Sequence, residues 1–495
     1  VYPEESNTSI DGPLTNVTVE EWKTWKKAIG SNGVYGDKFN EISDNIEQNA
    51  LNEKLANYKY GYKVRAGRTT AATLAIQGGV AGGYVGRTDG GKITEGNAAD
   101  LKSVTAYRNS GGFAGEIMSA DVASIGGIEI GKIDVIGNLD LLNDFVPIIK
   151  NSSVTGYKSG ATITTKGTDH TNFQGNAGGF VGKSEGGQID YVEANNIKTV
   201  KGTNAIGGFA GSIIAGSAAD VNTEADSGLL NAILGSLIGT SGNLATVLQA
   251  TLPTVKNAKV TGLDNSGLFV DGRYNYNSET KSYEFARNAG GFAGFVIGAI
   301  IGDKDAENVN GSDTTDASVQ VKNLVKVTGG EHVGGFLGLG DVSAVAQVGD
   351  SQDTSLAVKI LNLIKLGNID VLDVFRPYVY NAKVIGLNDR GFNVNANTVS
   401  SSGTLDSKVY VGNAGGFAGS LLNGTVKDSA IVNLASVNAK AYGGGFIGHM
   451  GKSGAVDIDK IGSGSALEGL LNGTVGVLDV FGSYANNCLV KGIEN

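Results

Sequence analysis

The amino-acid sequence predicts a mainly β fold, a right-handed parallel β-helix in which short coils stack into a solenoid. Three observations lead to this prediction: a five-residue motif occurs eight times, glycine contributes 77 residues, and short runs of alternating apolar and polar residues separate the motifs. The 495 residues exceed the roughly 250–300 that one globular core usually holds. A repeat architecture resolves this excess, because each repeat buries apolar surface against its neighbours.

The motif reads Gly-Gly-aromatic-X-Gly, with a small or aliphatic X, as in GGYVG from Gly82, GGFAG from Gly111 and GGFVG from Gly178. Side chains alternate along a strand, so we expect the aromatic rings to point inwards and to form a core ladder at a spacing of roughly 4.8 Å. The paired glycines are expected to supply unusual backbone angles and close approach. The ladder comprises Tyr84, Phe113, Phe180, Phe209, Phe292, Phe336, Phe417 and Phe446.

A longer repeat is superimposed on the motif. Four similar chain endings place an asparagine at Asn151, Asn257, Asn381 and Asn487, and each follows two motifs and an apolar segment. The sequence therefore predicts four tandem units that form one continuous solenoid, at residues 61–157, 158–262, 263–386 and 387–495.

Two kinds of helix are expected around this solenoid. Residues 1–60 have helical spacing of apolar residues and predict a helical N-terminal cap or linker. Trp22 and Trp25 lie three residues apart there, which indicates core capping, with a ligand platform as the alternative. The apolar stretches 228–252 and 355–366 predict short amphipathic helices packed on the outside.

Composition narrows the class of protein. A net charge of −10 disfavours nucleic acid and anionic lipid as partners. The single cysteine, Cys488, allows no disulfide framework, and no apolar run is long enough to span a membrane. Because the chain begins at Val1, we expect it to be a fragment of a longer protein.

The repeated motif resembles the glycine-rich GLUG-type repeats of bacterial surface proteins. That resemblance covers roughly residues 78–492 and implies a β-helical stalk or wall-anchored adhesin, of the type found in Gram-positive cell walls. It implies an extracellular location at the cell surface.

Few residues indicate chemistry. The three histidines, His170, His332 and His449, lie in no metal-binding or nucleophile motif, so no catalytic residue and no cofactor is predicted. An acidic stretch could hold calcium through Asp303, Asp305, Asp313 and Asp316, although a solvated loop is the favoured interpretation.

A polar excursion combines an arginine with aromatic residues at Arg273, Tyr274, Tyr276 and Tyr283. Such a surface suits contact with a glycan or a protein. The alternative, and the favoured interpretation, is a hairpin that widens the sheet.

The preferred hypothesis is a non-catalytic extracellular structural or adhesive segment that presents a binding surface to a host protein, a glycan or a neighbouring cell. The alternative is a carbohydrate-active β-helix enzyme, either a polysaccharide lyase or a hydrolase. A third hypothesis is a membrane-acting protein that uses the apolar helices.

Overall fold

The computed structural model describes residues 61–67, 79–119, 146–168, 174–215, 252–306, 316–341, 376–398, 401–402, 409–451 and 482–493. Nearly all of them belong to one compact unit, Lys63–Asn495. The described residues form 36 strands, numbered in chain order, and one 3-10 turn at Asn388–Arg390; they contain no α-helix.

Every motif lies at a corner between two parallel sheets. The strands of the entry sheet end at the first glycine of a motif. They are β2 (Val80–Gly82), β6 (Asn109–Gly111), β10 (Asn176–Gly178), β14 (Ala205–Gly207), β20 (Asn288–Gly290), β24 (His332–Gly334), β31 (Asn413–Gly415) and β34 (Gly443–Gly444), hydrogen-bonded in that order.

The strands of the exit sheet begin directly after the aromatic residue of a motif. They are β3 (Val85–Asp89), β7 (Ala114–Met118), β11 (Val181–Glu185), β15 (Ala210–Ile214), β21 (Ala293–Ile297), β25 (Leu337–Asp341), β32 (Ala418–Leu422) and β35 (Ile447–Gly451), again in that order. Consecutive motifs therefore lie on top of one another in a single register.

A third, wide sheet contains sixteen strands. They are β1 (Tyr62–Ala66), β4 (Lys92–Thr94), β5 (Asn97–Ala106), β8 (Ile148–Gly156), β9 (Ala161–Thr165), β12 (Gln188–Asn195), β13 (Ile197–Lys201), β16 (Thr254–Thr261), β17 (Leu268–Asp271), β22 (Ile300–Ile301), β23 (Val319–Gly329), β26 (Tyr378–Tyr380), β27 (Ala382–Gly386), β28 (Phe392–Ala396), β33 (Thr425–Asn438) and β36 (Tyr484–Gly492). Two separate antiparallel pairs complete the described strands: β18 (Arg273–Asn277) with β19 (Ser282–Phe285), and β29 (Ser401–Ser402) with β30 (Val409–Tyr410).

We call one passage from an entry strand through an exit strand and the wide sheet a tier. The eight motifs give eight tiers, and each of the four units predicted from the sequence contains two. The core between the sheets is filled by buried aliphatic residues, for example Ile117, Ile149 and Val200, each with no exposed surface.

The wide sheet folds back and closes on itself. Its strand order forms one row from β1 to β33 and a second row from β26 back to β4. The pairings β5–β8 and β23–β16 join these two rows. Long strands belong to both rows: β23 pairs with β16 at Ala258↔Val319 and with β17 at Leu268↔Leu324. Asn323 lies between these two parts of β23 with a φ of 58°, so a left-handed residue turns the strand within a continuous sheet.

The fold class predicted from the sequence is therefore wrong. The structure is mainly β, as expected, but its parallel wide sheet closes on itself, which replaces the predicted right-handed parallel β-helix. The described residues contain no helix packed on the outside. The predicted N-terminal cap at residues 1–60, with Trp22 and Trp25, lies outside the described residues, and so do both predicted apolar helices apart from Leu252.

Candidate functional site

The eight aromatic residues of the motifs form one continuous stack. Neighbouring ring centroids are 4.6–5.1 Å apart, and neighbouring ring planes differ by 2–15°. The six internal rings, from Phe113 to Phe417, have no exposed surface, whereas Tyr84 at one end is 51% exposed. Phe446 at the other end is half-buried. The stack is therefore structural along its length and open only at its ends.

The motif glycines serve close approach and not unusual backbone angles. None of them has a φ in the left-handed region. Instead, a Cβ added at Gly179 would overlap the carbonyl oxygen of Gly208 in the next tier, and the same overlap recurs at the second glycine of six other motifs. The aromatic residue that follows lies at the bend between two strands, and this corner brings each ring onto the next.

The aromatic excursion predicted from the sequence is a hairpin, β18–β19, that projects from the end of β17. The amide of Gly272 donates to the carbonyl of Thr328 at 2.9 Å, and the amide of Ala286 donates to the carbonyl of Gly272 at 2.7 Å. These bonds close the base of the hairpin. The hairpin predicted as the favoured interpretation is therefore present, but it forms its own two-stranded sheet, so the expectation that it widens the main sheet is wrong.

A β-bulge at Asn275 determines which side chains share a face of the hairpin. Arg273 is paired with Phe285 and Tyr276 with Tyr283, and the register shifts between Tyr274 and Tyr276. In a regular pair, Tyr276 would lie on the opposite face from Tyr283, because side chains alternate. The bulge therefore places Arg273, Tyr276, Tyr283 and Phe285 on one face, which we call the aromatic face.

The aromatic face is exposed and internally packed. Tyr276 is 56% exposed and Tyr283 is 44% exposed, and their ring centroids are 4.9 Å apart. The Arg273 guanidinium carbon lies 5.7 Å from the centre of the Tyr283 ring, in cation–π geometry. Large exposed aromatic side chains beside an arginine are typical of binding surfaces.

Asp271 anchors the arginine to the scaffold. Its carboxylate accepts two bonds from the Arg273 guanidinium, at 2.7 and 2.9 Å, and lies 3.6 Å from Lys201 Nζ. Burial alone would raise the pKa of Asp271, but the hydrogen bonds and the positive charge of Arg273, with Lys201, outweigh it, so the pKa lies below its ordinary value. Asp271 was not predicted from the sequence, although its position two residues before Arg273 was the available signal.

Tyr274 lies on the opposite face from the other aromatic residues. It is only partly exposed, and burial, followed by the nearby carboxylates of Glu284 and Glu331, raises the pKa of its hydroxyl. The structure thus brings together three of the four predicted contact residues and separates the fourth.

The predicted calcium ligands are not assembled among the described residues, which contain no group of three or more metal-ligating side chains. The Asp303 carboxylate accepts a hydrogen bond from the amide of Asp305, whereas the Asp316 carboxylate is held by Gln320 and Lys322. These hydrogen bonds and the charge of Lys322 hold the pKa of Asp316 below its usual value. Asp313 lies outside the described residues.

One histidine takes part in a buried polar cluster that the sequence did not reveal. His332 Nδ1 lies 2.8 Å from Ser420 Oγ, 88 residues away in sequence, and Asn413 Nδ2 donates to the same oxygen at 3.0 Å. Ser420 and Asn413 have no exposed surface and His332 has 8%. A serine beside a histidine suggests nucleophile chemistry, but a substrate cannot reach this oxygen. His170 lies outside the described residues.

The buried carboxylate of Glu116 also has its polar partners within the scaffold. It has no exposed surface, accepts a bond of 2.6 Å from Asn109, and lies 3.3 Å from Arg87 and 3.5 Å from Arg108. The contacts of this carboxylate with two arginines and an asparagine all lie within the scaffold, and its burial keeps it from meeting a substrate.

Comparisons of the chain with protein-family models, with curated proteins and with solved structures found no match. Within the described ranges, no helix has the length and apolarity that crossing a membrane requires. The aromatic face is the candidate site on geometric grounds.

Proposed function

We propose that this chain is a non-catalytic, extracellular structural and adhesive segment of a bacterial surface protein. Its aromatic face contacts a glycan or a protein on a host or a neighbouring cell. The observation that carries this proposal is the bulge at Asn275, which aims two exposed tyrosines and an arginine at the same side of a projecting hairpin.

The scaffold supports such a role by keeping the hairpin base rigid. Asp271 and Gly272 at the base are buried, and Arg273 is fixed by two hydrogen bonds to Asp271. A fixed aromatic platform loses little conformational entropy on binding, so each buried tyrosine contributes more to the affinity. Tyrosine faces stack on sugar rings and on apolar protein surface alike.

The test is binding of the purified protein to a glycan array and to immobilised extracellular matrix proteins. We expect binding to at least one probe, and we expect the Tyr276→Ala/Tyr283→Ala double substitution to weaken it about tenfold or more. Tyr191→Ala is the matched control, because Tyr191 is a 62% exposed tyrosine outside the hairpin. Equal loss in the control, or full binding by the double variant, would contradict the proposal.

A further inference from the structure

The aromatic face of the hairpin offers a small area to a ligand. Tyr276 is 56% exposed and Tyr283 is 44% exposed, so together they expose about as much surface as one aromatic side chain, roughly 250 Å². Even with Arg273, whose side chain is 45% exposed, the face falls well short of the roughly 800 Å² that each partner of a standard protein interface contributes. A short oligosaccharide needs only a few side chains, so the area favours a glycan over a protein.

The side chains of the aromatic face match the two kinds of surface that a sugar presents. The rings of Tyr276 and Tyr283 are inclined to each other by 52°, and the C–H face of a sugar ring packs on the exposed face of such a ring. The guanidinium of Arg273 has five N–H groups, of which two donate to Asp271 at 2.7 and 2.9 Å. Its other N–H groups can donate to the hydroxyl oxygens at the edge of the sugar.

The hairpin and its base carry no net charge. Residues 271–287 contain three acidic and three basic side chains. Two neighbours add one charge of each sign: Lys201 lies 3.6 Å from Asp271, and Glu331 accepts a hydrogen bond from Arg287 at 3.2 Å. An ionic ligand of either sign therefore gains little attraction from the hairpin as a whole.

The charge on the aromatic face itself is compensated. Of its four side chains only Arg273 is charged, and its guanidinium lies 2.7 Å from the carboxylate of Asp271. An acidic sugar would therefore meet an arginine that is already paired. A cationic ligand would be repelled, because the guanidinium lies 5.7 Å from the centre of the Tyr283 ring on which such a ligand would have to stack. These charges favour an uncharged ligand.

We propose that the aromatic face binds a neutral oligosaccharide, whose sugar rings stack on Tyr276 and Tyr283 and whose hydroxyl groups accept hydrogen bonds from Arg273. This inference rests on the proposed adhesive function and narrows its ligand to a glycan without carboxylate, sulfate or phosphate groups. It also gives Asp271 a role in specificity, because this carboxylate compensates the positive charge that would otherwise attract an acidic glycan.

Binding of the purified protein to matched pairs of immobilised oligosaccharides tests the proposal. One member of each pair is neutral, and the other carries a sialic acid or a sulfate on the same backbone. We expect the wild-type protein to bind at least one neutral member and to bind its acidic counterpart no more tightly. The affinity for the neutral member should change by less than about twofold between about 0.05 and 0.5 M salt, because the contact contains no ion pair that salt could screen.

Asp271→Asn should raise the affinity for the acidic member by about tenfold, because Arg273 loses its compensating charge and can pair with the ligand. Asp190→Asn is the matched control. It removes one negative charge from a residue outside the hairpin, which accepts a hydrogen bond from Asn257, and should leave the preference for the neutral member unchanged. Circular dichroism melts establish that both variants are folded.

Three results would overturn the proposal: tighter binding of the acidic member by the wild-type protein, an affinity for the neutral member that falls steeply with salt, or a folded Asp271→Asn variant with the wild-type preference. Binding to immobilised proteins but to no oligosaccharide would overturn this inference and leave the adhesive function intact. Absence of binding to every oligosaccharide and every protein would overturn both.

Discussion

At the scale of single residues, the motif allows the backbones of neighbouring tiers to approach closely at each corner. Successive corners lie so close that the second glycine of one motif faces the backbone of the next, as Gly179 faces Gly208. The same closeness brings the rings within stacking distance, where parallel faces contribute dispersion beyond their buried area. Glycine and phenylalanine are therefore required together.

The glycines of different tiers are expected to differ sharply in their tolerance of a methyl group. Gly179→Ala should lower the free energy of unfolding by about 3 kcal/mol or more, because the new Cβ overlaps the backbone of Gly208. Gly445→Ala, in the last tier, should change it by less than about 0.5 kcal/mol, because the nearest atom is 3.9 Å away. Urea denaturation of both variants measures this; similar losses would contradict the close-approach explanation.

Removing an internal ring of the stack should lower the free energy of unfolding more than removing a ring at its end. Phe180→Ala removes a fully buried ring with a stacking partner on each face, and should cost about 3–5 kcal/mol. Tyr84→Ala removes an exposed ring with one partner, and should cost about 1 kcal/mol. A Phe180 variant that unfolds at the wild-type urea concentration would mean that the stack adds nothing to stability.

At the scale of the elements, left-handed residues decide where strands turn. One column of the wide sheet carries a left-handed residue in seven of the eight tiers: Glu95, Asn151, Tyr191, Asn257, Asn381, Asp428 and Asn487, with φ between 45° and 60°. Asparagine tolerates this conformation, whereas a residue with a bulky side chain is strained by roughly 1–2 kcal/mol. The four asparagines of the sequence repeat thus mark a corner that three of the other four tiers form with a different residue.

Tyr191 has the bulkiest side chain in this column, and its side chain is 62% exposed. Tyr191→Asn should raise the free energy of unfolding by about 1 kcal/mol by relieving that strain. Asn151→Tyr, the reverse exchange in the adjacent tier, should lower it by a similar amount. The two variants are compared by thermal and urea denaturation, and a loss of stability in Tyr191→Asn would show that the tyrosine makes a favourable contact instead.

At the scale of the whole molecule, buried polar contacts between distant tiers make stability dependent on pH. Burial, followed by the positive charge of Arg287 and the neighbouring His449, lowers the pKa of His332 to about 4. The unfolded chain, with an ordinary histidine pKa of 6.5, binds this proton more readily. Stability is therefore fully present above pH 6.5 and is lost as the pH falls towards 4.

The loss attributable to His332 should reach roughly 3 kcal/mol below pH 4. His332→Asn should remove this part of the pH dependence, because asparagine does not titrate and already occupies the neighbouring positions Asn288 and Asn413 of the same column. The measurement is the free energy of unfolding of both proteins between pH 4 and 7. If both proteins lose the same free energy of unfolding as the pH falls, groups other than His332 cause the acid sensitivity.

The sequence predicted those features that repeat along the chain. The motif spacing indicated a mainly β fold of stacked repeats, and the regular aromatic position identified residues that occupy one structural environment. The aromatic excursion was recognisable from composition. Its bulge was not, because a single extra residue such as Asn275 is defined only by the partner strand.

The sequence by itself determined the composition of each tier, namely strand, glycine corner, aromatic residue and strand, and placed an asparagine turn in every second tier. Only the tertiary structure decided how the tiers join. Left-handed residues such as Asn323 keep a strand hydrogen-bonded through a corner, so that the wide sheet closes on itself and does not remain a set of separate faces. Likewise, the contact of His332 with Ser420 joins residues that are 88 positions apart. Local patterns carry no information about such pairings, because the free energy that selects them comes from packing between distant segments.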